Sequence, residues 1–178
     1  MTAFIGVDFS LTSTGIACFA DGEWDACTVK TKPDDGTPSG FLRRMDSITS
    51  QILNWTDPRE GDVIAIEAPA FGAKGAALDR MFGGWWMTVA AITAHHEEPW
   101  VFTSTSLKKL ATGKGNAGKD EVLLAASRRI LEAPITGNDT ADAAWLAVAA
   151  SIIAGQPIVG VPVSHMTGLT RISKGKTE

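Results

Sequence analysis

The sequence predicts a single α/β domain built on a mixed five-stranded sheet, a three-strand antiparallel meander plus two parallel strands, with helices on both faces. Three observations carry this prediction. Short apolar runs bounded by turn residues alternate with segments of helical periodicity. The first three runs follow one another with only turn signals between them. The fourth, Asp62 to Ala68 (DVIAIEA), is apolar without clean alternation, as suits a central strand covered on both faces.

Taken in order, Phe4 to Phe9, Gly15 to Ala20 and Glu23 to Lys30 read as the meander, turned by Leu11 to Thr14 and by Asp21-Gly22. Pro33, Asp34, Asp35, Gly36 and Pro38 mark a loop. A helix follows from about Gly40 to Trp55, with Phe41, Met45, Ile48, Ile52 and Trp55 at helical spacing. After the fourth strand, stopped by Pro69, Gly75 to Glu98 reads as a second helix and Trp100 to Thr103 as a fifth strand. Ser104 to Ala111 and Asp120 to Leu131 are further helices, separated by the glycine-rich stretch Gly113 to Gly118. The last long helix runs from about Asn138 to Ala154, where Gly155 and Pro157 stop it. One domain is expected over residues 1–157. Residues 158–178 are expected to form a mobile, partly basic tail with a short extended piece at Ile158 to Val161.

At 178 residues, with 44% apolar and 20% charged residues, the composition is that of an ordinary globular domain. No apolar run approaches the roughly 20 residues needed to span a bilayer. The N-terminus has no basic stretch leading into an apolar one, so no signal peptide is expected and a cytoplasmic protein is the default. Cys18 and Cys27 test that default. Across an Asp-Gly hairpin position 18 faces position 25, which makes Cys27 a diagonal neighbour at roughly 7–8 Å, near or past disulfide reach. Two buried free thiols are expected, as in a reducing compartment.

The formal net charge of −4 argues at first against a nucleic-acid partner. Its distribution does not. Thr103 to Lys119 holds no acid but carries Lys108, Lys109, Lys114 and Lys119, and a second basic stretch runs from Arg171 to Lys176.

The strongest chemical signal lies in four carboxylates. Asp8 ends a strand-like run and Glu67 ends an even more apolar one, where a charge is costly to bury without a partner. Asp139 and Asp142 are three apart at the start of a very apolar helix, so both project from one face. Alone, Asp139 reads equally as a first-turn acid favoured by the helix dipole behind an Asn138 cap. Together the four suggest hard oxygen ligands for magnesium. Two such ions about 3.5–4 Å apart can activate water and stabilise the leaving oxygen in phosphodiester cleavage.

The chain resembles the RuvC-type Holliday junction resolvases, which have a ribonuclease H-like fold. The matching pieces are Ile5-Gly6-Val7-Asp8-Phe9-Ser10, Thr14-Gly15-Ile16-Ala17 and Ile66-Glu67-Ala68. Further on come Ser106-Leu107-Lys108 to Gly113, Gly118-Lys119-Asp120-Glu121-Val122 and Asn138-Asp139-Thr140-Ala141-Asp142. They occur in the family's order over roughly residues 3–155. The resemblance implies that Asp8, Glu67, Asp139 and Asp142 are catalytic ligands of two Mg²⁺ ions, with Mn²⁺ as a substitute. It implies that Lys119 and Lys108 match basic residues that contact the junction backbone or support the reaction near the scissile phosphate. Lys109 and Lys114, in the same lysine-rich stretch, join them as DNA-binding candidates. Phe71 is the nearest match to an aromatic residue that holds the junction open. A homodimer nicking a four-way junction is the implied assembly, in the cytoplasm of a bacterial cell or phage-infected host.

Three departures mark a divergent member, such as a phage-encoded one: Phe-Ser-Leu-Thr-Ser-Thr-Gly follows Asp8 where bacterial members usually have Pro-Gly, Pro69 follows the Glu-bearing strand, and the basic stretch Arg171 to Lys176 has no counterpart. The alternatives are a broader fork or flap endonuclease, a non-cleaving junction-binding module, and an actin-like ATPase, which needs a second lobe and a longer chain. Of the adjacent pair Trp85 and Trp86, one is expected in the core and the other could face a dimer interface.

Overall fold

The computed structural model describes residues 2–69 and 76–169. The meander is β1 (Phe4–Asp8), β2 (Ser13–Ala20) and β3 (Glu23–Lys30), followed by α1 (Pro38–Thr56), β4 (Val63–Glu67), α2 (Ala76–His95) and β5 (Trp100–Phe102). Then come α3 (Ser104–Thr112), α4 (Lys119–Arg129), α5 (Asn138–Ile153) and α6 (Val163–Met166). The sheet order is β3-β2-β1-β4-β5. β1 pairs antiparallel with β2 and β2 with β3, while β1–β4 and β4–β5 are parallel. The predicted mixed sheet is therefore present, with each predicted strand and helix within a few residues of its expected bounds.

The twofold alternation of a strand assigns side chains to faces. Ile5, Val7, Ile16, Ile64 and Ile66 point to one side and pack with Met45, Ile48 and Ile52 of α1 and with Trp85 and Ile92 of α2. Phe4, Ala17, Ala65 and Phe102 point to the other, against α3, α4 and α5. Helix α5 is buried on almost all sides, from Thr140 to Ser151.

Two glycines set how closely α5 approaches. A Cβ on Gly6 would stand 2.0 Å from the Ala143 carbonyl oxygen, and one on Gly15 would stand 2.0 Å from that of Asp139. Only bare backbone at these positions lets α5 lie directly on β1 and β2. In the sequence both glycines are simply motif members; their packing role exists only in three dimensions.

Helix α5 starts differently from expectation. Gly137 is its N-cap and Asn138 its first residue, so Asn138 is not the cap. The Thr140 hydroxyl caps instead, accepting from the N–H groups of Thr136 and Gly137 at 3.0 and 3.1 Å. Cys18 faces Asp25 and Cys27 faces Ile16, the register read from Asp21-Gly22, and both thiols are free. Each is half-buried rather than buried. Burial raises both thiols above their ordinary pKa, Cys18 to about 11.

The segment after Ala154 packs back on the body. Ile158, Val159, Val161 and Met166 lie against the α5-side core, and Leu169 is buried in it. His165 Nδ1 lies 3.1 Å from the Leu110 carbonyl oxygen near the end of α3. Helix α6 is only four residues long, too short to show a helical period, so nothing in the sequence announces it. The Arg171 to Lys176 stretch lies outside the described residues, as does Phe71.

Candidate active site

The alternation that builds the core also aims the acids. Asp8 shares the face of Phe4 and Gly6, and Glu67 shares the face of Ala65, so both look toward α5. They stand one residue beyond Val7 and Ile66, the last pair of the parallel β1–β4 ladder. Neighbouring strands run roughly 4.8 Å apart, which puts the two carboxylates side by side at the C-terminal edge of the sheet. Gly15, opposite Asp8, lets the first turn of α5 settle there. That turn brings Asp139 and Asp142.

Asp8, Glu67 and Asp142 line one cleft of about 400 Å³, together with Phe9, Ser10, Ser104, Lys108 and Lys119. Asp139 stands beside it, with its Oδ2 accepting from the Ser13 hydroxyl at 2.5 Å. Ser13 lies on the same face of β2 as Gly15. Three further groups shape the site without a clear sequence signal. Ser104, the first residue of α3, hydrogen-bonds the Glu67 carboxylate. The buried Trp85 indole donates to the Glu67 main-chain oxygen at 2.8 Å and fixes the strand end. Met81 of α2 closes the cleft's apolar wall. Finding any of these requires knowing which elements meet.

Three of the acids, Asp8, Glu67 and Asp142, are held above the ordinary carboxylate range. Burial, then Glu67, Asp142 and Asp139, hold the Asp8 carboxyl well above the ordinary range, with Lys119 opposing. Burial and Asp142 push Glu67 up to about 7, against the Ser104 hydrogen bond, Lys108 and Lys119. Burial pushes Asp142 to about 6, opposed by Lys119 and Lys108 and reinforced by Asp139. Buried carboxylates with raised pKa and mutual repulsion are the donor chemistry of a hard divalent cation. Among the described residues no group of three or more carboxylates, histidines or cysteines is arranged so as to hold a metal ion. Magnesium asks less of the protein, since it keeps several waters and takes one or two carboxylates plus substrate phosphate.

The raised pKa values carry a consequence for stability. Groups whose folded pKa is raised favour the fold below the unfolded pKa, and that contribution is lost as pH rises through the folded value. For Glu67, moved from 4.5 to about 7, the loss by pH 8 is roughly 3 kcal/mol at about 1.4 kcal/mol per pH unit. In chelator, Tm is therefore expected to fall between pH 5 and 8, and added Mg²⁺ to recover it at pH 8. Asp34, held down at about 2 by the Arg80 guanidinium, is ionised throughout that window and contributes no slope. A flat Tm in chelator, matched by no Mg²⁺ response, would contradict the site.

The other predicted site residues are placed as follows. Lys108 and Lys119 line the cleft. Lys109 and Lys114 do not; Lys114 instead pairs with Glu121 at 3.7 Å on the surface. Trp85 is 6% exposed and Trp86 61%, so the pair divides as expected between core and surface.

No family model matches the chain, and no curated protein matches it. Among solved structures, it is similar to Thermus thermophilus RuvC, with a TM-score of 0.61 and 20% identity over 90% of this chain and 100% of that one. It is equally similar to T. thermophilus RuvC in complex with a Holliday junction substrate, at 0.61 and 17% identity over 91% and 100%. The likeness shows the fold: this chain has the ribonuclease H-like architecture of RuvC.

Proposed function

We propose that this chain is a metal-dependent endonuclease of the RuvC type, resolving Holliday junctions by phosphodiester hydrolysis. The observation that carries the reading is the cleft itself: acids from β1, β4 and α5 meet at one sheet edge, with Lys108 and Lys119 opposite. A non-cleaving DNA-binding module gains nothing from carboxylates placed where phosphate must come.

In this reading Asp8, Glu67, Asp139 and Asp142 hold two Mg²⁺ ions. When bound, the ions offset the acids' charge and polarise an attacking water. The protein's own groups position and balance. Ser104 orients Glu67 and Ser13 orients Asp139, as outer partners of ligands do. Lys119 and Lys108 face the acids across the cleft and stabilise charge that develops on the phosphate. Lys109 and Lys114, outside the cleft, add backbone contacts farther along the DNA. Phe71, four residues after Glu67 in the sequence, is the candidate for contact with bases at the junction. Exposed Trp86 is suited to the contact between two copies in a homodimer.

The test is purified protein with labelled four-way junction, replication fork and linear duplex, with and without Mg²⁺. Junction cleavage that needs Mg²⁺ and leaves duplex uncut is expected. Equal cutting of fork and junction would favour the broader branched-DNA reading. Binding without cutting in Mg²⁺ or Mn²⁺ would overturn the nuclease.

A further inference from the structure

A second cleft, of about 420 Å³, opens between the end of β3 and α1. It is lined by Lys30, Lys32, Arg43 and Arg44, with Asp34 and Asp35 among them. The two acids do not cancel its charge. Asp34 is almost fully buried and held between Arg44 and Arg80. Asp35 accepts from Thr37 and faces Arg43 at 3.3 Å. Lys30 and Lys32 are exposed and make no ion pair among the described residues, so the rim of the cleft presents uncompensated positive charge.

The cleft is tied to the acid site. Lys30 pairs with Ser13 across the β2–β3 ladder, and the Ser13 hydroxyl holds Asp139. The Thr31 hydroxyl and the Arg44 guanidinium both donate to the Leu11 main-chain oxygen. They thereby clamp the loop that leaves Asp8. Both clefts lie at the C-terminal end of the parallel strands. The opposite end is acidic, with Asp21 and Glu23 at the β2–β3 turn, Asp57, Glu60 and Asp62 before β4, and Glu97 and Glu98 before β5. A net charge of −4 is thus divided along the strand axis, which steers a polyanion to the end that carries both clefts.

We infer that the β3–α1 cleft is a second phosphate-backbone contact, gripping the DNA arm that leaves the acid cleft on the side away from Lys108 and Lys119. The inference rests on the branched-DNA reading of the acid site. Two strand spacings, roughly 10 Å, separate β1 from β3 along the end of the sheet that carries both clefts. Phosphate contacts of this kind fix position and register and carry no sequence information.

The experiment measures junction binding in chelator across a salt series, for the wild type, Lys30→Gln/Lys32→Gln, and Arg59→Gln at the acidic end. Cleavage at saturating protein in Mg²⁺ is followed in parallel. The lysine pair is expected to weaken binding about tenfold or more and to reduce the slope of log K against log salt by about 2. Arg59→Gln is expected to change neither, and Lys30→Arg/Lys32→Arg to restore both. The single-turnover cutting rate at saturation should stay that of the wild type. Unchanged affinity and slope in a wild type that cuts would overturn the cleft and leave the nuclease standing. A wild type that does not cut but loses its salt-sensitive binding in the lysine pair would support the cleft and overturn the nuclease. A wild type that neither binds nor cuts overturns both.

Discussion

Glu67→Gln is expected to abolish junction cleavage, by a factor of about 10³ or more, while making the ion-free protein more stable at pH 8. The two effects have one cause. Burial and Asp142 make the ionised Glu67 costly in the absence of a cation, and the amide removes that charge at nearly constant volume. The same amide is a poor ligand for a hard cation, and a thousandfold loss corresponds to about 4 kcal/mol of transition-state stabilisation. Steady-state cleavage of a labelled junction and thermal melting in chelator read the two arms separately. A variant that cuts like the wild type would sink the catalytic assignment. A variant that loses both cutting and stability would mean that Glu67 is structural.

A comparably large effect concerns the seat of α5. Gly6→Ala would place a methyl 2.0 Å from the Ala143 oxygen, 2.6 Å from the Ala147 nitrogen and 2.8 Å from the Leu146 Cβ. Two of these neighbours are backbone within a helix buried on almost all sides, so no side chain can swing away. A cost of about 3 kcal/mol or more is expected, seen as a fall in Tm of roughly 6–12 °C. Gly160→Ala, where nothing lies within 4 Å, is the matched control and should melt like the wild type. Equal melting of the two variants would show that α5 does not rest on β1 in this way.

Much of this arrangement is legible in the order of residues alone. The apolar run DVIAIEA, the Asp21-Gly22 turn and the spacing of Met45, Ile48 and Ile52 are local signals, and local signals suffice for strands and helices. The four acids are legible as anomalies, because a carboxylate at the end of an apolar run demands an explanation wherever the run lies. Ser104, Ser13 and Trp85 are different. Serine at a helix start or a strand start is ordinary, and a tryptophan in a helix is ordinary core; each becomes part of the site only because another segment arrives beside it. The packing of residues 158–169 is illegible for a related reason. Their one helix is four residues long, too short to show a period, and their partners lie on α3 and α5.

Which elements form, where the costly charges sit and how the lysines are segregated from the acids along the chain are all properties of the sequence. Which of those charges meet is a property of the folded sheet. Lys108 and Lys119 reach the acid cleft, while Lys109, turned away from its neighbour on α3, and Lys114, in the loop beyond α3 and paired with Glu121, do not. Lys30 and Arg43 share a second cleft because α1 folds back beside the end of β3, the strand that precedes it. The difference is one of range: propensity and periodicity act over a few residues, whereas electrostatics and packing act over distances in space that only the closed sheet defines.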